Sequence, residues 1–115
     1  MIIYEFDRSD ASQYCGIYCI KIGQHTYIGS TKRSIWVRIK EHEKSLFKNK
    51  HHNHKVQSAY SKWHKIEFTV LEYCRNKDVC KREQYYIDLF KPDLNIVKNV
   101  ANYYLKCELL NEMEL

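Results

Sequence analysis

A short segment near the N-terminus, CGIYCIKIGQHTYIGS at residues 15–30, constrains the fold more than any other part of the chain. Two apolar runs flank the dipeptide Gly-Gln, and a two-residue link that begins with glycine favours a type II′ hairpin turn. This turn predicts that Tyr18 faces Gly29 across the hairpin, which leaves open space above the tyrosine ring. It also makes Tyr18 and Tyr27 diagonal neighbours, so the segment predicts a hairpin with two phenol groups on one face.

The rest of the chain has a strand and helix pattern typical of an α+β domain. Alternating apolar residues predict a strand over residues 65–74 and a short edge strand at residues 1–6, and residues 7–13 are predicted to be a loop. Helical periodicity predicts a helix that begins at the N-cap Ser34, a second helix over residues 55–64, a third over residues 76–91 that is stopped by Pro92, and a C-terminal helix over residues 98–115. The predicted inward-facing residues of the first three are Ile35, Ile39, Leu46 and Phe47; Val56, Ala59, Tyr60 and Trp63; and Val79, Tyr86, Ile87 and Phe90.

Length and composition indicate one domain spanning residues 1–115 of a 14.0 kDa chain. No apolar run is long enough to cross a bilayer and the N-terminus lacks the features of a signal peptide, so we expect an intracellular protein, in the cytoplasm or with the nucleoid or nucleus, and no membrane partner. The five cysteines include no C-x-x-C pair and are expected to be free thiols.

Positive charge is concentrated in the middle of the chain. Residues 32–65 contain ten Lys or Arg and only two Glu, a net charge of +8 in a chain whose total is +5. Such a block, with neutral or acidic segments on both sides, is typical of a surface that binds a polyanion. A solvated helical face that is rich in lysine is the alternative, and charge alone does not separate the two.

Three polar residues fall at positions that suggest chemistry. Arg38 and His42 are spaced i, i+4 and share one side of their predicted helix, although they are also compatible with a solvated pair. Glu83 lies on the apolar stripe of the third helix, where a carboxylate is costly unless it is paired, for example with Arg82, or binds a metal. Phosphodiester hydrolysis requires a base, positive charge on the transition state and a cation for the leaving oxygen, which these residues and the phenols can provide together.

Six short motifs in order resemble the GIY-YIG endonucleases, over residues 16 to about 97. They are GIY at 16–18, YIG at 27–29 followed by Ser30, RIKEH at 38–42, HHNHKVQ at 51–57, REQYYI at 82–87 and LNI at 94–96. Each motif alone is weak, but six in the right order form a strong signal. The resemblance implies a small three-stranded antiparallel sheet flanked by helices, with an N-terminal extension at 1–14, a catalytic core at 15–97 and a C-terminal helix at 98–115.

The resemblance also implies a metal-dependent DNA endonuclease with one Mg²⁺ or Mn²⁺ ion and with roles for individual residues. Tyr18 is the expected general base, and Tyr27 beside it is expected to bind the phosphate or the attacking water. Arg38 would stabilise the transition state and His42 would orient a tyrosine or relay a proton. The remaining expectations are that Glu83 binds the metal, that Asn95 hydrogen-bonds near the site or to the scissile strand, and that DNA contacts come from Ser30, Lys32, Arg33, Lys40, His51, Asn53 and Lys55.

Other interpretations remain open from the sequence. Tyr18 and Tyr27 belong to a set of ten tyrosines, and most tyrosines in strands are packing residues. The histidines of residues 51–54 suggest zinc, but no cysteine lies at a compatible spacing, so a DNA-facing loop is favoured. A nucleic-acid-binding module of the same fold that does not cut is the main alternative function. A homodimer or a protein partner that binds through the C-terminal helix is a further possibility.

Overall fold

The structure is a computed structural model that describes residues 1–100. Its elements are β1 (Ile2–Glu5), α1 (Arg8–Gln13), β2 (Gly16–Ile22), β3 (His25–Thr31), α2 (Ile35–Phe47), α3 (His54–Trp63), β4 (Ile66–Tyr73) and α4 (Val79–Phe90), the last preceded by a 3₁₀ turn at Asn76–Asp78. The predicted C-terminal helix lies, from residue 101 onward, outside the described residues.

The strands form one four-stranded sheet in the order β1-β4-β2-β3. Strand β2 is antiparallel to both β3 and β4, whereas β1 is parallel to β4, with Ile2 paired to Ile66. The predicted α+β fold and the antiparallel arrangement of three strands are confirmed. The predicted edge strand adds a parallel fourth strand, a pairing between distant segments that no local pattern specifies.

The hairpin has the predicted register, with Ile22 paired to His25 and Tyr18 paired to Gly29. The turn residue Gly23 has a φ of 62°, which only glycine adopts at little cost, and Gln24 is not among the residues of positive φ, as a type II′ turn requires. Tyr18 therefore faces α2, on the side of the sheet where the candidate site lies.

Helices cover both faces of the sheet, and alternate residues of β2 point to opposite sides. Tyr18 and Ile20 pack with α2 and α3, whereas Ile17 packs against α4. Three residues that were predicted to face inward are instead exposed, namely Phe47 (58%), Trp63 (49%) and Phe90 (56%). Each is the last residue of its helix. Burial was therefore predicted correctly within the helices and wrongly at their ends.

The predicted loop at residues 7–13 is wrong, because Arg8–Gln13 form the short helix α1. Asp7 caps it by accepting a hydrogen bond from the backbone N–H of Asp10, and its one buried residue, Ala11, accepts a bond from Ser34 at the start of α2. Packing against α2 stabilises a helix that is too short to form alone. Within residues 1–100, no helix has both the length and the apolar character needed to cross a membrane.

Candidate active site

The two predicted phenols lie at the base of one cleft. Tyr18 is 1% exposed, and Tyr27 is partly buried on the same face of the sheet. A β-carbon at Gly29 would lie 2.6 Å from the phenolic oxygen of Tyr18, so the ring passes directly over the glycine. Glycine at position 29 is thus needed for the ring to reach α2. The space that the sequence predicted at Gly29 exists, but the ring of Tyr18 itself fills it.

Helix α2 adds two residues on the side that faces the phenols. Ser34 caps the helix through the backbone N–H of Val37, as the sequence predicted. One helical turn apart, Arg38 is partly exposed to the cleft and His42 is 1% exposed beneath it. The ring of His42 meets the rings of Tyr18 and Tyr27 edge-on, at centroid distances of 5.5 Å and 5.9 Å. The Arg38–His42 pair is therefore directed at the phenols rather than at solvent.

A chain of short hydrogen bonds extends from Tyr18 into the protein. The phenolic oxygen of Tyr18 lies 2.6 Å from Nε2 of His42, and Nδ1 of His42 lies 2.7 Å from Nε2 of His51. The far end of the chain is the backbone, because the N–H of Asn53 donates to Nδ1 of His51 at 3.0 Å. All three side chains in the chain are buried.

The backbone end of this chain determines where its protons lie. The carbonyl of Asn53 also lies 3.3 Å from Nδ1 of His51, but the N–H of Asn53 is closer. Because the backbone fixes the hydrogen of that N–H, Nδ1 of His51 must be the acceptor. His51 is then protonated on Nε2 and donates to His42, and His42 is protonated on Nε2 and donates to Tyr18. The phenolic oxygen consequently accepts a hydrogen bond, which favours its anionic form.

This assignment requires neutral imidazoles, and the surroundings keep them neutral. Burial, reinforced by the positive charge of Arg38, lowers the pKa of His42 to about 2. Burial also lowers the pKa of His51 to about 4, with the nearby His52 as the next contribution. The pKa of His52 is itself lowered by burial and by Arg38. At neutral pH all three rings are therefore uncharged.

Tyr18 is subject to opposing influences. Complete burial is the largest and raises the pKa of its phenol well above the usual value, and the nearby Tyr27 and Glu83 raise it further. Arg38 lowers that pKa, both through its charge and through a hydrogen bond to Tyr18. The free protein therefore keeps Tyr18 protonated, and its deprotonation depends on added positive charge.

Glu83 reaches the cleft from α4. It is 7% exposed, and the hydroxyl of Ser30 on β3 donates to its carboxylate at 2.5 Å. The alternative pairing with Arg82 is not observed, because Arg82 binds the carboxylate of Glu72 through two nitrogens, at 2.7 Å and 2.8 Å. The apolar stripe of α4 thus places one buried carboxylate in the same cleft as Arg38.

These residues surround a single cleft of about 340 Å³. It is lined by Tyr18, Tyr27, Ser30, Arg38, His52, Asn53, Glu83, Asn95, Ile96, Val97 and Val100. The cleft therefore joins β2, β3, α2, α4 and the segment that follows α4, and it combines two phenols, a guanidinium and a carboxylate.

The donors in the cleft fit a hard divalent cation. Mg²⁺ and Mn²⁺ favour oxygen ligands, and Mg²⁺ retains several waters while it binds one or two carboxylates. The cleft offers the carboxylate of Glu83, the hydroxyl of Ser30 and the phenols. Among residues 1–100 there is no cluster of three or more His, Cys, Asp or Glu that could hold a metal.

Asn95 is placed in the cleft wall, with both ends of its amide engaged by β3. Its oxygen accepts a hydrogen bond from the N–H of Ile28 at 2.9 Å, and its nitrogen donates to the carbonyl of Ile28 at 2.8 Å. Asn53 has a similar position, since its side chain caps α3 and donates to the carbonyl of Leu94 at 2.9 Å. Both asparagines therefore hold the wall of the cleft in place.

The residues predicted to contact DNA divide into three groups. Ser30 and Asn53 line the cleft, whereas the exposed Lys32, Arg33, Lys40 and Lys55 do not. Arg33 instead pairs with Glu41 at 2.8 Å, and Lys40 pairs with Glu43 at 2.6 Å. His51 was expected in a DNA-facing loop, but the structure buries it. It is 8% exposed and is the middle member of the hydrogen-bond chain.

Sequence reasoning missed three features of this region. His52 lines the cleft, and its ring stacks on that of His51 at a centroid distance of 4.5 Å. Ile96 and Val97 form part of the rim. Glu43 is 3% exposed and pairs with Lys40 and with the hydroxyl of Tyr4. Glu43 had a signal, since it lies four residues after Ile39 and three before Leu46 on the predicted apolar stripe of α2.

The chain is similar to known proteins over most of the segment that forms the cleft. The family model of the GIY-YIG catalytic domain matches residues 14–95, which is more than half of the chain. The matched range contains β2, β3, α2 and α4, which form the site. It does not include the rim residues that follow Asn95. A comparison with curated proteins found no significant match.

Two solved structures resemble the fold closely. One is the catalytic domain of the homing endonuclease I-TevI, with 29% identity and a TM-score of 0.63, over 70% of this chain and 92% of that one. The other is a glutamate-to-alanine mutant of the catalytic domain of the intron endonuclease I-TevI, with 27% identity and a TM-score of 0.66, over 74% of this chain and 95% of that one. This chain thus covers nearly the whole of both domains.

Proposed function

Because this chain belongs to the GIY-YIG catalytic domain family, we propose that it is an endonuclease that hydrolyses phosphodiester bonds of DNA. The proposal includes one bound Mg²⁺ or Mn²⁺ ion and Tyr18 as the general base. The observation that carries it is the convergence of Tyr18, Arg38 and Glu83, from three separate elements, on one cleft. Packing alone gives no reason for a carboxylate and a guanidinium to line the same cleft as two phenols.

The residues of the cleft divide the chemistry between them. Tyr18 takes the proton of the attacking water, and Tyr27 holds that water or a phosphate oxygen beside it. Arg38 places a fixed positive charge on the phosphate, where negative charge develops in the transition state. His42 donates to the phenolic oxygen and so stabilises the phenolate as it forms.

Glu83 is the proposed metal ligand, with Ser30 holding its carboxylate. A divalent cation held there by Glu83 would supply positive charge that favours the phenolate and the leaving oxygen. Burial raises the pKa of Tyr18 well above its usual value, so the protein without metal should be inactive at neutral pH. With metal, the rate should rise with pH, because the base must lose its proton before it can act.

Plasmid nicking in the presence of Mg²⁺ tests the proposal. We expect the wild-type protein to convert supercoiled DNA to the open circle, and EDTA to abolish the reaction. Glu83→Gln should lower the rate by at least about 100-fold. Glu67→Gln is the matched control, since Glu67 lies on β4 opposite Lys21 and outside the cleft. Cutting that survives both EDTA and Glu83→Gln would exclude the one-metal scheme.

A nucleic-acid-binding module of the same fold is the competing proposal. It predicts DNA binding that is retained or strengthened in Glu83→Gln and no cutting by the wild-type protein under any metal condition. A buried carboxylate in the cleft disfavours this function, because negative charge repels a phosphate unless a cation lies between them.

A further inference from the structure

Two aliphatic side chains are exposed on the rim of the cleft. Ile96 is 48% exposed and Val97 is 41% exposed, and both line the same cleft as Tyr18 and Arg38. We call these two residues the 96–97 tip. Exposed aliphatic groups at the mouth of a polar cleft contribute nothing to a hydrolytic step, so their position calls for another role.

The chain is fixed immediately before the tip. Asn95 exchanges two hydrogen bonds with the backbone of Ile28, which attaches it to β3 much as a paired strand residue would be attached. One residue earlier, the backbone of Leu94 donates to the carbonyl of Thr26 at 3.0 Å and accepts a bond from Asn53. The N-terminal side of the tip is thus joined to the sheet.

The chain is fixed again immediately after the tip, this time to α4. The side chain of Gln84 donates to the carbonyl of Lys98 at 3.0 Å and accepts a hydrogen bond from the N–H of Val100 at 2.8 Å. Val100 itself is 5% exposed and packs in the core beneath α4. The two tip residues therefore project from a short segment that is held at both ends.

We propose that the 96–97 tip inserts against the bases beside the scissile phosphate and unstacks one base step of the DNA. This proposal rests on the proposed function, which places the scissile phosphate against Arg38 in the cleft. The tip borders that cleft, so the sugar and base next to the phosphate come within its reach. Aliphatic wedges between base steps are an established way for proteins to deform DNA.

Charge favours DNA over an apolar protein partner as the occupant of the tip. The tip lines a cleft that contains Arg38, and the segment at residues 32–65 carries a net charge of +8. A polyanion gains from this field, whereas an apolar protein surface does not. The proposal predicts a preference for sequences whose base steps unstack easily, without hydrogen bonds to base edges.

The test uses the full chain and a duplex whose cut site has first been mapped with the wild-type protein and Mg²⁺. 2-Aminopurine is placed at the step beside the cut, and binding is measured in a Glu83→Gln background so that the DNA stays intact. We expect fluorescence to rise several-fold with the tip present and to change little with Ile96→Ser plus Val97→Ser. In the otherwise wild-type protein, the same double substitution should slow cutting of the intact duplex at least tenfold.

Two controls separate this role from a structural one. Leu89→Ser removes an apolar side chain of similar exposure (57%) on α4, outside the cleft, and should leave both signals unchanged. A mismatch at the labelled step removes the need for unstacking and should restore cutting by the double variant to within about threefold of wild type. Rescue of this kind is not expected if the substitutions only disturb the fold.

The outcomes also separate this inference from the proposed function. A wild-type protein that cuts, together with a double variant that cuts and unstacks equally well, overturns the role of the tip and leaves the nuclease intact. A double variant that is slow on both duplexes also counts against unstacking. A wild-type protein that cuts no DNA overturns the proposed function and, with it, this inference.

Discussion

The phenolic oxygen of Tyr18 lies 2.6 Å from Nε2 of His42, and both side chains are buried. The direction of this hydrogen bond is set two steps away, where the backbone N–H of Asn53 donates to His51. A backbone group thus determines that His42 acts as a donor to the tyrosine. In the proposed mechanism this makes His51 a positioning residue, although it does not line the cleft.

Replacement of His51 should therefore slow catalysis without weakening DNA binding. In His51→Ala, His42 loses the donor to its Nδ1 and can adopt the other tautomer, which no longer donates to Tyr18. A hydrogen bond to a charged group contributes about 1.5–3 kcal/mol, so kcat should fall roughly 10- to 100-fold with little change in KM. The measurement is steady-state cleavage of a short duplex over a range of pH.

The pH profile distinguishes positioning from simple damage to the fold. The loss of a donor to the phenolate should shift the rising limb of the rate to higher pH in His51→Ala. Replacement of the exposed His54 by alanine serves as the control and should leave the profile unchanged. An unaltered limb in His51→Ala would contradict the proposed proton arrangement.

Burial of the neutral His42 should make the fold sensitive to acid. In the unfolded chain the imidazole takes up a proton below about pH 6.5, whereas in the folded protein its pKa is about 2. The unfolded state binds more protons throughout this window, so stability falls as the pH decreases below 6.5. At pH 5 the loss from His42 is about 2 kcal/mol.

Urea unfolding at pH 7 and at pH 5 measures this effect. His42→Gln keeps a polar side chain but cannot titrate, so the difference in the free energy of unfolding between the two pH values should shrink by most of that amount. His54→Gln should leave the difference as it is in wild type. An equal acid sensitivity in wild type and His42→Gln would assign the effect to other groups.

The features predicted from the sequence are those that depend on neighbouring residues. The register of Tyr18 opposite Gly29 follows from a two-residue turn, and the start of α2 follows from Ser34. The features missed depend on partners distant in the chain. The parallel pairing of β1 with β4 and the burial of His51 behind His42 arise only when segments 9 to about 60 residues apart meet. Local patterns carry no information about such contacts.

The close fit of Tyr18 over Gly29 predicts a strong effect of a single methyl group. In Gly29→Ala the new β-carbon would lie 2.6 Å from the phenolic oxygen, so the buried ring of Tyr18 would have to shift. Overpacking of this kind costs about 1–3 kcal/mol, and it should also displace the base from the cleft. Thermal unfolding and plasmid nicking should both show a loss.

A control in the same strand isolates the effect of position 29. Thr26→Ala shortens a partly exposed side chain in β3 and should change the melting temperature much less than Gly29→Ala. A melting temperature in Gly29→Ala equal to that of wild type would show that the ring has another way to pack.

Two arginines share one carboxylate and should differ sharply in function. Arg33 lies 2.8 Å and Arg38 lies 3.2 Å from the oxygens of Glu41, but only Arg38 lines the cleft. Arg38→Lys keeps the charge and loses the forked geometry, so we expect kcat to fall about 100-fold or more. Arg33→Lys should reduce it less than about twofold. Equal effects of the two substitutions would place the transition-state charge elsewhere.

Lys40 belongs to the basic segment by sequence, but its contacts predict a structural role. Its ammonium pairs at 2.6 Å with Glu43, whose side chain is 4% exposed and also bonds Tyr4 on β1. Lys40→Met would leave this carboxylate with one partner fewer, which should lower the free energy of unfolding by roughly 1–3 kcal/mol. Urea unfolding measures this loss.

The salt dependence of DNA binding separates this structural role from a DNA contact. Because Lys40 is engaged with Glu43, Lys40→Met should leave that dependence unchanged. Removal of a phosphate contact would instead reduce the slope of log affinity against log salt by about 0.9. A reduced slope with unchanged stability would instead restore Lys40 to the DNA-binding surface.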